Sequence, residues 1–207
     1  MLEDEQKLIL RVVRTLPEIQ QRIDKGDVDR EVLLSVVDFF REYAEKAHHA
    51  KEETALFPLL ENRGVPSDAC PIGALRNEHN QGRKLTKVLE DAVQRYGEGD
   101  SDATGQIAGY LRRATDFYTT HVWKGEFLLF PLARKVLSDS DQDFLLKEFI
   151  SLDSKLGHHF QEEYYYRVSR LESILKGDGK INHPWGPHTR LEEPSHLLRK
   201  LEEILQA

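Results

Sequence analysis

A chain of 207 residues, 39% hydrophobic and 31% charged, is long enough for one domain around a buried core with extra helices, and short for two. Its formal net charge of −7, with basic residues scattered among acidic ones, gives no electrostatic footprint for nucleic acid or anionic lipid. The single cysteine, Cys70, excludes an intrachain disulfide and a Cys-rich zinc site and suits a reducing compartment. The start Met1-Leu2-Glu3-Asp4-Glu5 lacks the basic opening of a signal peptide, and no apolar run approaches membrane-spanning length. A cytoplasmic protein with no nucleic-acid or membrane partner is therefore expected.

Apolar residues recur at three- and four-residue spacing almost throughout, which predicts an all-α chain. A first helix is expected over 2–24, with Leu8, Ile9, Val12, Val13 and Leu16 on one face, Pro17 as a kink point and Gly26 as its stop. A second spans 28–62, with Pro58 in its last turn, and ends at Arg63-Gly64-Val65-Pro66-Ser67. The third occupies 71–96, between Pro71 and Gly97, and the fourth 103–138, with Pro131 late in it. A fifth helical stretch, 140–176, is open to interruption at Gly157. Ile181 to Pro187 reads as an irregular connector and Ser195 to Gln206 as a short amphipathic helix that either packs back on the bundle or forms a homodimer contact.

The most informative feature is an internal repeat at an offset of 73 residues. The segment from His48 to Leu59 (HHAKEETALFPL) and that from His121 to Leu132 (HVWKGEFLLFPL) agree at seven of twelve positions. The shared positions include a histidine, a lysine, a glutamate and a Leu-Phe-Pro-Leu tail. On a helix, residues four apart lie one turn above each other, so His48 with Glu52, and His49 with Glu53, have chelating geometry. Imidazole and carboxylate suit iron or manganese, and thiolates are absent from the pattern. His79 lies near the middle of the third predicted helix. His48, His79 and His121 thus stand on three separate helices, the distribution a metal site in a bundle core requires.

These residues resemble the hemerythrin-like HHE cation-binding family over about residues 2–138. The resemblance implies an antiparallel up-down four-helix bundle over 1–138 around a non-haem diiron centre, with 139–207 as a C-terminal helical extension. His48 and Glu52 in the first Phe-Pro motif, His79 within Glu78-His79-Asn80-Gln81-Gly82-Arg83, and His121 in the second Phe-Pro motif match the family pattern and are carried over as metal ligands. His49 and Glu53 form the adjacent register and are ranked as supporting or alternate groups. Two positions depart from the pattern: Gln6 stands where the first helix should carry a histidine, and Gly125 where the fourth should carry a glutamate. Glu126, five residues after His121, is the conditional fifth ligand, and Gly125 would let the helix bulge there. The departures leave open a one-ion site, a weakened second site, a site that recruits Glu5, Gln6 or water, or a bundle without metal.

His158-His159-Phe160-Gln161-Glu162-Glu163 repeats the pair spacing but reads better as a surface with local hydrogen bonds, and His183, His188 and His196 as solvent-facing. The resemblance implies one or two iron ions, with manganese or zinc as alternatives, and a protein that binds or senses dioxygen, nitric oxide or iron. The competing readings are a diiron redox enzyme that decomposes peroxide or nitric oxide or repairs iron-sulfur centres, and a metal-free interaction bundle. The two missing ligands weigh against catalysis.

Overall fold

The computed structural model describes residues 1–177, and these form six helices with no strand among the described residues. Helix α1 is Leu2–Asp24 and runs through Pro17, ending where Gly26 takes a left-handed φ of +68°. Helix α2 is continuous over 30–62 and starts at Asp29, whose side chain accepts from Glu31 N at 2.9 Å. Helix α3 is Ile72–Gly97. Helix α4 is continuous over 101–136, with Asp100 accepting from Asp102 N at 2.9 Å. In both caps the carboxylate satisfies a backbone donor that the first turn leaves without a partner.

The expected fifth stretch is two helices, α5 Asp139–Leu156 and α6 Phe160–Leu175. Ser138 and Asp141 form a reciprocal capping box at the start of α5. The break between α5 and α6 falls at Gly157, at φ 134°, a value open to glycine and costly for other residues. The connector after residue 177, the helix expected from Ser195 to Gln206 and its dimer contact, and His183, His188 and His196 lie outside the described residues.

Two helices depart from plain α geometry, and both do so beside the repeated motif. In α2 the stretches Phe39–His49 and Glu52–Leu56 are π-helical, and in α4 Gly125–Leu129 is π-helical, the bulge expected at Gly125. Each of the short π-turns, Glu52–Leu56 and Gly125–Leu129, leads directly into a Phe-Pro pair, Phe57-Pro58 or Phe130-Pro131. A proline inside a helix has no N–H to offer and its ring crowds the carbonyl one turn back. A widened turn relieves that crowding and keeps the helix continuous.

The buried apolar residues fall into two clusters. One gathers Leu8, Ile9, Val12, Leu16, Leu33, Val36, Phe40, Val93, Leu111 and Tyr118 with residues of α6, and the other gathers Leu2, Leu56, Phe57, Leu60, Ile72, Leu75, Leu129 and Phe130 with residues of α5. Each of the four long helices carries polar residues where the two clusters meet: Glu5-Gln6 on α1, His48 to Glu52 on α2, His79 on α3, and His121, with Val122 of the larger cluster after it, on α4. Helix α4 packs on α1 and α3, and α2 on α3 and α1, so these polar residues meet as one buried layer. Helix α6 lies on α1, where Arg11 donates to Glu172 at 3.0 and 2.8 Å. Helix α5 lies on the π-helical part of α2.

Candidate metal centre

His48, Glu52 and His79 are fully buried, and His49 and His121 are 1% exposed. Burial of that many titratable groups is costly unless each polar atom is matched. The outer nitrogens are matched. His48 Nδ1 donates to Glu5 Oε2 at 3.0 Å, His79 Nδ1 to Glu53 Oε1 at 2.7 Å, and His121 Nδ1 to Glu78 Oε2 at 3.0 Å. A carboxylate only accepts, so in each pair the proton sits on Nδ1 and the lone pair is left on Nε2. Each carboxylate also meets a cation. Lys51 Nζ lies 2.5 Å from Glu5 Oε1, Arg83 donates to Glu53 at 3.1 Å, and Lys124 bonds Glu78.

The inner atoms are not matched. His48 Nε2, His79 Nε2, His121 Nε2 and both oxygens of Glu52 are buried with no hydrogen-bond partner. Glu52 stands between two of the imidazoles, with Oε1 3.5 Å from His48 Nε2 and Oε2 3.1 Å from His79 Nε2 but out of line for a hydrogen bond. Each such orphaned atom costs about 1–3 kcal/mol if nothing fills the space between them. One ligand atom from each of His49, His79 and His121 lies within 4.8 Å of the others. These donors fit a metal ion: the unpartnered nitrogens lie together inside, and a carboxylate orients His48, His79 and His121, though not His49, from behind, the usual outer support of a metal-binding histidine.

Electrostatics favour the metal-ready form of His49, His121 and Glu52, but not of His79. Burial, and then the neighbouring imidazoles of His79, His121 and His48, push His49 well below the usual imidazole range, so it is neutral. Burial also pulls His121 down, against the opposing pull of Glu78. His79 moves the other way, because Glu52 and Glu53 at its two nitrogens outweigh burial. Burial alone would raise Glu52, but the imidazoles of His48 and His79 outweigh it and hold its carboxyl below the usual range, so it is a carboxylate.

The four residues carried over from the resemblance, His48, Glu52, His79 and His121, are brought together. Glu126 is not: it is exposed on α4 while Gly125 beside it is buried. Gln6 fills the space beside position 125: a Cβ there would stand 2.0 Å from Gln6 Nε2, so a larger residue requires the Gln6 amide to move. His49, ranked behind His48, is equally interior, stacked on His79 at a centroid distance of 3.9 Å, and neither of its nitrogens has a partner. Glu53 lies on the outer side of His79, at its Nδ1. His158 and His159 are exposed, yet their neighbour Gln161 reaches the layer: its amide donates to Glu5 Oε1 at 3.1 Å and to Asp153, which pairs with Lys51. Glu5 and Glu78 were missed as imidazole partners, although each lies 43 residues before the histidine it holds. On the outer side of Glu78 a cleft of about 390 Å³ is lined by Asn77, Gln81, Asp116, Phe117 and Thr120.

Four long helices enclosing buried imidazoles around one carboxylate make this a helical-bundle protein with a candidate metal centre in its interior. The family model for the hemerythrin HHE cation binding domain matches residues 1–133, and the chain belongs to that family. No curated protein and no solved structure matches the chain. No helix of the described residues is long and apolar enough to cross a membrane.

Proposed function

We propose that the buried layer holds non-haem iron and that the protein binds or senses dioxygen, nitric oxide or iron itself there. The observation that carries this reading is the set of unpartnered inner atoms, His48 Nε2, His79 Nε2, His121 Nε2 and the Glu52 carboxylate, with His49 beside them. Imidazoles with a carboxylate and no thiolate are donors that suit ferrous iron, with manganese and zinc accepted by similar groups. Iron bound there supplies coordination positions for a small exogenous ligand.

The chain's own residues do the rest. Glu5, Glu53 and Glu78 fix the tautomer and ring orientation of their histidines. The rings of Phe57 and Phe117 lie nearly parallel to those of His79 and His121, with centroids 5.8 and 6.2 Å apart, and add apolar surface beside the two imidazoles. A sensing role is supported by the route outward. Lys51 and Glu5, directly behind His48, are tied to Asp153 on α5 and Gln161 on α6, so the bonds behind His48 continue into the C-terminal helices.

The test is anaerobic addition of ferrous iron to the metal-free protein, removal of excess, iron analysis, and optical spectra before and after dioxygen or nitric oxide. Retained iron whose spectrum changes with the gas is expected. Protein that retains no iron would sink the reading, and iron indifferent to both gases would remove the ligand-sensing part of it.

A further inference from the structure

The repeat extends beyond the two Phe-Pro motifs once the contacts are laid on it. Glu5 and Glu78 are 73 positions apart, as are His48 and His121, and Lys51 and Lys124. The bonds repeat with them: Glu5 holds His48 and Lys51 across 43 and 46 residues, and Glu78 holds His121 and Lys124 across the same separations. The layer is therefore two halves built on one plan, α1 with α2 and α3 with α4.

The two sequence departures are partners under that plan. Gln6 corresponds to His79, and Gly125 to Glu52, so the imidazole and the carboxylate that meet at 3.1 Å in one place are replaced by an amide and a glycine that meet in the other. The amide of Gln6 occupies the space where a side chain at position 125 would begin, with its three end atoms 2.0 to 2.8 Å from the place of a Cβ. Glu126 follows from the same relation. Its counterpart Glu53 bonds His79 Nδ1, whereas position 6 offers no imidazole, and Glu126 is left exposed. The charge agrees: Glu52 is the one inward carboxylate of the set, because Glu5, Glu53 and Glu78 sit behind the imidazoles and are paired with Lys51, Arg83 and Lys124. A second di- or trivalent ion would leave buried positive charge without a counter-charge.

We infer that the centre holds one metal ion, on Glu52 and the imidazoles around it, and that Gln6 and Gly125 together close the second position that the repeated plan would otherwise provide. His49 belongs to the same departure. Its counterpart is Val122, so it adds beside the retained Glu52–His79 pair an imidazole that the repeat does not supply. This inference rests on the metal-binding reading above and specifies how many ions that site takes and why.

The test compares the full chain with Gln6→His, Gly125→Glu and the double variant Gln6→His/Gly125→Glu, each loaded anaerobically with ferrous iron alone, desalted, analysed for iron and examined by electron paramagnetic resonance after oxidation. One iron per chain is expected for the wild type and for each single variant, with the half-integer-spin signal of an isolated ferric ion. The double variant should double the iron content and lose that signal to coupling between two ferric ions. Two irons per chain in the wild type with a spin-coupled signature, or a double variant that stays folded by circular dichroism and still takes one iron, would overturn the inference. The wild-type spectrum decides the number of ions even where the double variant fails to fold. Absence of iron from the wild type overturns the metal-binding reading itself, a result distinct from either of these.

Discussion

Replacing Glu78 separates the support of a ligand from the ligand itself. Glu78 accepts from His121 Nδ1 at 3.0 Å and bonds Lys124, yet its side chain is 15% exposed and that of Lys124 is 23% exposed. Removal of the carboxylate therefore leaves a lysine that can turn to water, and the folded state should lose little, as for other partly exposed ion pairs. The metal should lose more. Without Glu78 the imidazole no longer has its proton fixed on Nδ1 or its ring held, and loss of such a support typically weakens metal binding 10–100-fold. Glu78→Gln keeps an oxygen that can accept from Nδ1 but not the charge, so about tenfold, or about 1.4 kcal/mol, is expected. Glu78→Ala removes both and should reach about a hundredfold, near 2.7 kcal/mol. Competition titrations with a metal chelator under anaerobic conditions read these numbers, with Glu126→Gln as the control that should change nothing. Unchanged affinity in Glu78→Ala, with the fold intact, would refute the role given to the outer carboxylates.

Lys51 is fully buried between Glu5 and Asp153, so Lys51→Met should cost about 3–5 kcal/mol by leaving two carboxylates facing each other without the cation between them, read by denaturant unfolding. Leu33→Ala empties a fully buried site in the larger apolar cluster and should cost about 2–5 kcal/mol, a fall in Tm of about 5–15 °C in metal-free protein by calorimetry. The bond from Arg63 and the α5 capping box hold the Asp141 carboxyl far below the usual carboxylate range. Because its folded pKa is depressed, the stability it adds is fully present above its unfolded pKa of about 3.9 and is lost as pH falls through the folded value. The stability gap between wild type and Asp141→Asn should accordingly be constant near neutrality and shrink only in strong acid, and a gap that widens on acidification would contradict the assignment.

The helices were legible because their signals are local. The apolar periodicity of α1, the Arg63-Gly64 stop after α2 and the glycine at 97 placed the ends of three helices within two residues, and the break at Gly157 was marked in advance. Choosing between His48 and His49 was beyond that kind of reading. An α-helix sets neighbours about 100° apart and can bury both, as it does Leu8-Ile9 and Val12-Val13 on α1, so periodicity does not separate the two histidines. Both side chains enter the layer, at the end of the π-helical stretch Phe39–His49. The same limit applied to Glu126. It has the spacing of a ligand, but which way it faces depends on the π-turn at Gly125 and on the amide of Gln6 from another helix. The partners Glu5 and Glu78 are also contributed across helices, and periodicity within one helix carries no record of that. What the sequence did hold, unread, was the 73-residue offset between Glu5 and Glu78 and between Gln6 and His79.

The most direct test of the metal centre is anomalous diffraction at the iron edge from crystals of the iron-loaded protein. A single iron peak bonded to Glu52 and to imidazoles among His48, His49, His79 and His121 is the expected result. An iron peak elsewhere, or none in crystals whose solution sample retains iron, would contradict it.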